Sequence, residues 1–153
     1  MKQLVASLII PALLTFTACK PTEHEHDHDH SHEPPHGGAA VVLGDEAFHL
    51  EFVRDSETGT LTAYVMDGHL ENFIRVPNTN IEVVVEGLTR GGTLSLQPIP
   101  NNATGETVGD TSQFSASAEW LKTATNFNAA IPSIEIRGQI FTNVIFNFPK
   151  GNE

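Results

Sequence analysis

Six histidines fall within residues 24–36: His24, His26, His28, His30 and His32 alternate strictly, and His36 follows. Glu23, Glu25, Asp27, Asp29 and Glu33 are interleaved with them. Near neutral pH an imidazole with its pKa around 6.5 is mostly uncharged and offers one nitrogen lone pair, while each carboxylate adds an oxygen ligand. Imidazole suits zinc, copper and nickel; carboxylates alone would suit calcium or magnesium. The tract therefore predicts a divalent transition metal, its identity left open between Zn, Cu and Ni. Without a preformed tetrahedron, the expectation is several exchanging sites of moderate affinity that weaken as protons compete below about pH 6. The plain alternative is a solvated polar spacer.

A second set lies further on. His49 and Glu51 share the polar face of a period-two run, and Met66, Asp67, His69 and Glu71 surround the turn after its expected partner strand. A hairpin closing at Thr58-Gly59 brings residue 66 near position 50, so His49 and His69 are expected to approach, with His36 as a third nitrogen. Two histidines and a carboxylate, Glu51 or Asp67, satisfy zinc or copper, and Met66 would favour reduced copper. Ordinary residues of a solvent-facing sheet face would look the same.

These groups need positioning elements. Met1-Lys2 and the apolar run Leu4 to Phe16 have the length of an export signal and are too short to span roughly 30 Å of hydrocarbon as a helix. Phe16-Thr17-Ala18-Cys19 resembles a lipobox, which predicts residues 1–18 as a lipoprotein signal peptide, lipidation at Cys19 and stable anchoring by more than one acyl chain. Lys20 resembles the residue of lipoproteins sent to the outer membrane, so the expected location is periplasm-facing. Residues 19–38 carry no large apolar side chain to bury and are expected to be disordered, a tether with a reach of roughly 25 Å. Pro34-Pro35 stiffens its end and Gly37-Gly38 releases it.

From Ala39 to Glu153 the pattern is strand-rich. Phe48, Leu50 and Phe52 alternate with His49, Glu51 and Val53; Leu61, Ala63 and Val65 alternate with Thr62, Tyr64 and Met66. Further strands are expected over Phe73–Val76, Ile81–Val85, Leu94–Leu96, Phe114–Ala116 and on both sides of Arg137-Gly138, with Ser117 capping a short helix near Glu119–Thr125. The predicted fold is all-β: an antiparallel, immunoglobulin-like sandwich of seven to nine strands with one short helix.

Composition excludes some functions. Eight Lys and Arg against 19 Asp and Glu give a formal charge of −11, which speaks against a phosphate backbone as partner, so no nucleic acid is expected. One cysteine allows no internal disulfide and no cysteine-pair zinc site. The absence of G-x-S-x-G and H-E-x-x-H signatures leaves no enzyme expected.

The join His36-Gly37-Gly38, then FHLEFVRD (Phe48–Asp55), TGTLTAYVMDGH (Thr58–His69) and RGQIFTNVIFNF (Arg137–Phe148), resembles the small exported His-rich β-domains found beside bacterial heavy-metal efflux systems. It is similar to modules attached to the adaptor subunits of such pumps. The resemblance implies a periplasm-facing metal binder or chaperone with ligands among His36, His49 and His69, and a metal efflux or uptake complex as partner. The competing expectation is a non-enzymatic structural or interaction module in which the tract is a spacer.

Overall fold

The computed structural model describes residues 33–87 and 92–152. The signal, Cys19 and the histidines at 24, 26, 28, 30 and 32 lie outside the described residues. Among the described residues eight strands form: β1 (Ala39–Leu43), β2 (Phe48–Asp55), β3 (Thr60–Asp67), β4 (Ile81–Glu86), β5 (Thr93–Pro98), β6 (Gln113–Ser117), β7 (Phe127–Ile136) and β8 (Gln139–Phe148). Each pairs antiparallel with its neighbours, in the order β1-β2-β3-β6-β5-β4-β7-β8. The all-β antiparallel architecture is the one expected. Its two layers are the halves of a single sheet, joined where Gln97 and Pro98 of β5 meet Ser115 and Phe114 of β6.

Alternation decides which side chains meet. Val41 and Leu43, Leu50 and Phe52, and Leu61, Ala63 and Val65 turn inward from one half; Ile81 and Val83, Leu94 and Leu96, and Ile131 and Phe146 do so from the other. The Phe52 ring of β2 stacks on Phe146 of β8 at 4.7 Å, so the halves close face to face on one apolar core. The seam between β1 and β8 is fastened by the chain's last residues. The Asn152 carboxamide accepts from the Val42 N–H (2.7 Å) and donates to the Val42 carbonyl (3.1 Å), occupying part of β1's open edge.

Strands β4, β5 and β6 run as a meander, and β3 and β7 reach its two sides through long connections, a Greek-key arrangement. The first connection, residues 68–80, turns back along the edge of β3 beyond its pairing with β6, where the Asp67 N–H donates to the Asn72 carbonyl (2.9 Å) and the Ile74 N–H to the Val65 carbonyl (2.8 Å). The segment expected as a strand over Phe73–Val76 lies in it and pairs only by single bridges, Met66 with Phe73 and Val76 with Thr111. The expected short helix is a single 3-10 turn, Glu119–Lys122, whose N-cap is Ala118. Ser117 stays in β6, where its hydroxyl bonds the Thr60 hydroxyl across the sheet (2.9 Å).

Candidate functional site

On β2, inward Leu50 and Phe52 force Glu51 onto the outer face, yet Glu51 is 0% exposed. The chain entering the domain covers it. Glu51 Oε1 accepts hydrogen bonds from the backbone N–H of His36 (2.8 Å) and of Gly38 (3.0 Å), and Oε2 accepts one from His36 Nδ1 (2.7 Å). Both glycines of the join make this approach. Gly37 adopts φ +66° in a turn closed by its N–H to the Pro34 carbonyl (2.9 Å). A Cβ on Gly38 would sit 2.5 Å from the Phe52 carbonyl oxygen. The residues expected to release the chain thus fasten it to β2.

The His36 ring lies flat on Tyr64, opposite Glu51 on β3, with centroids 4.0 Å apart and planes within 11°. Phe73, carried over by the 68–80 connection, tilts against both rings at 5.9 and 6.0 Å. With Nδ1 protonated toward a carboxylate, the imidazole keeps its lone pair on Nε2, the tautomer found in carboxylate–histidine–metal arrangements. Burial first, and then the Glu51 charge, hold the Tyr64 phenol above its usual value.

Beside the rings a cleft of about 520 Å³ opens, lined among others by His36, Tyr64, Phe73, Arg75, Glu106 and Ser112. Glu106 comes from the 99–112 loop and is 7% exposed. It accepts from the Asn101 N–H (3.0 Å) and from the hydroxyls of Thr111 (2.8 Å) and Ser112 (2.9 Å). Burial opposes its ionisation, but these donors outweigh burial and hold its carboxyl below the ordinary range. Arg75 lies 3.9 Å from Glu106, bonds Asp110 at 3.2 Å and donates to the Thr104 carbonyl.

The remaining predicted ligands lie on β2 and at the end of β3 with the turn that follows it. His49 faces outward opposite Met66, and both are buried; its Nδ1 lies 3.3 Å from the Asp67 carbonyl. His69 is exposed in the turn after β3. The Asp67 carboxylate closes that turn, accepting from the N–H groups of Glu71 (2.9 Å) and Asn72 (3.2 Å) and from the Asn72 side chain (2.6 Å). Burial raises its pKa, yet these donors leave it lowered. His36 and Glu51 are therefore brought together. Among the described residues, no three His, Cys, Asp or Glu side chains gather as a metal-binding group.

Tyr64, Phe73, Arg75 and Glu106 were not foreseen. The sequence around Glu106 offers only two acids, Glu106 and Asp110, and Thr111-Ser112 in a polar loop, and loop closure is not visible from spacing. No family model matches the chain, and neither does any curated protein or solved structure.

Proposed function

We propose that this protein is an envelope lipoprotein, anchored through Cys19, that captures divalent transition metal ions on its histidine tract and holds them for sequestration or for delivery to a metal transport system. The observation that carries the reading is the fixed His36 ring. The last histidine of the tract is oriented by Glu51 at 2.7 Å and by Tyr64 at 4.0 Å, so its Nε2 is a pre-oriented donor at the point where the tract meets the domain. Orientation through an outer carboxylate removes a rotor that metal binding would otherwise have to freeze. The five upstream imidazoles supply further nitrogens within a few residues. Zinc, copper or nickel is the cargo that imidazole chemistry selects.

Calorimetric zinc titration of the mature chain at neutral pH tests this. The expected result is more than one equivalent bound, falling to near zero when all six tract histidines are changed to Ser. Glu51→Gln can donate to Nδ1 and so invert the His36 tautomer, and is expected to weaken the tightest equivalent roughly 10- to 100-fold. Absence of heat with zinc, copper and nickel, or unchanged stoichiometry in the six-Ser variant, overturns the proposal.

A further inference from the structure

The cleft beside His36 is a built cavity with a definite chemistry, and three features define what it can take. One wall is aromatic: Tyr64 lies under His36, and Phe73 is half exposed (50%) although its backbone is pinned to Met66. An apolar ring held open to water on a fixed segment is a platform for a flat C–H-bearing face.

The charged groups of the cleft are already answered. Arg75 faces Asp110 at 3.2 Å and Glu106 at 3.9 Å, which leaves little field for a phosphate or carboxylate ligand. Glu106 spends its oxygens on Asn101, Thr111 and Ser112, and Glu51 spends its own on His36 and Gly38, so neither carboxylate is poised for a cation. What the lining adds is neutral and bidentate: the amides of Asn72, Asn101 and Gln113. Asn72 uses its Nδ2 on Asp67 and Asn101 its Oδ1 on Ala103, so one turns an acceptor and the other a donor to a ligand.

We infer that this cleft binds a neutral polyhydroxylated ligand, a sugar ring whose C–H face rests on Phe73 and whose hydroxyls reach the amides of Asn72, Asn101 and Gln113. A volume of about 520 Å³ suits a ligand of one to two such rings. Nothing in the inference depends on metal, so its success or failure is separate from that of the histidine tract.

The test is a titration of the isotopically labelled mature chain, followed by NMR in the presence of a chelator, with N,N′-diacetylchitobiose and maltose as probes and tri-alanine as the peptide control. The expected result is a saturable shift of Phe73 and Gln113 resonances with at least one disaccharide. Phe73→Ala should weaken that binding about tenfold, the loss of roughly one stacking contact. Gln113→Ala, at a half-exposed strand position, serves as an independent variant should Phe73→Ala lose its melting transition. Absence of shifts with both disaccharides, affinity unchanged from the parent in both variants, or binding of tri-alanine alone overturns the assignment; the last outcome would make this a peptide site.

Discussion

Two carboxylates, Glu51 on β2 and Glu106 in the 99–112 loop, are buried on the same side of the molecule and each accepts three hydrogen bonds, but they fasten different things. The donors to Glu106 all lie within six residues of it, and none of them titrates. Its role is to close a loop. The donors to Glu51 lie 13 to 15 residues upstream, and one of them is an imidazole. Its role is to dock the entering chain and to fix a histidine tautomer. A buried acid satisfied locally is a structural part, whereas one satisfied by a histidine from another segment couples position to chemistry.

The largest expected effect follows from removing the docking acid. Glu51→Ala leaves the His36 and Gly38 N–H groups without their acceptor on the covered outer face of β2. We expect a loss of about 3 kcal/mol in urea unfolding, because hydrogen bonds to a charged group are individually worth 1.5–3 kcal/mol and add incompletely. A cost below about 1 kcal/mol would mean that water replaces the lost acceptor and that the join is not held by Glu51.

Glu106→Gln should cost less, about 1 kcal/mol at neutral pH, since the amide oxygen still accepts one of the loop donors. Its signature is in acid. The folded carboxyl titrates below its unfolded value of 4.5, so the unfolded chain binds more protons in that window. The contribution is therefore present above about pH 4.5 and is lost as pH falls through the depressed folded value. Urea midpoints measured from pH 6 down to pH 3 should fall less steeply in Glu106→Gln than in the parent protein. Parallel slopes would show that the loop does not discriminate the ionised form.

Much of the fold was legible because period-two alternation has one strong physical cause, a sheet with an apolar side; burial follows it closely in β1, β3, β4 and β7, while in β2 the covered His49 and Glu51 are buried as well. The Arg137-Gly138 turn was equally readable: it joins Ile136 directly to Gln139. The site was legible in part. His36 and Glu51 were picked as chemistry-bearing residues, but only as ligands, because the spacing of His49 and Glu51 on one face says nothing about a distant segment returning to cover that face. The 68–80 connection broke the Phe73–Val76 expectation for a related reason. It meets β3 and the 99–112 loop only through the single bridges Met66–Phe73 and Val76–Thr111, with Ile74 buried and Phe73 half exposed, and a pattern of that length cannot tell an edge bridge from a full strand.

The smallest effect is also the most selective for the two acids. Tyr64 is the chain's single tyrosine, so the alkaline rise in phenolate absorbance reports one group. Its phenol is raised above 10 by burial and, secondarily, by the Glu51 charge across the β2–β3 pair. Glu51→Gln removes the charge and keeps the burial, so the midpoint should move down while remaining above 10. Glu106→Gln should leave it in place, since burial and Glu51 are the causes of the shift. The parent's extra stability from Tyr64 is present below pH 10 and is lost as pH rises through the folded midpoint. Superimposable titrations for the parent and Glu51→Gln would mean that the Glu51 charge does not reach the ring on which His36 rests. Equal shifts in both variants would erase the distinction between an acid that docks a histidine and one that only closes a loop.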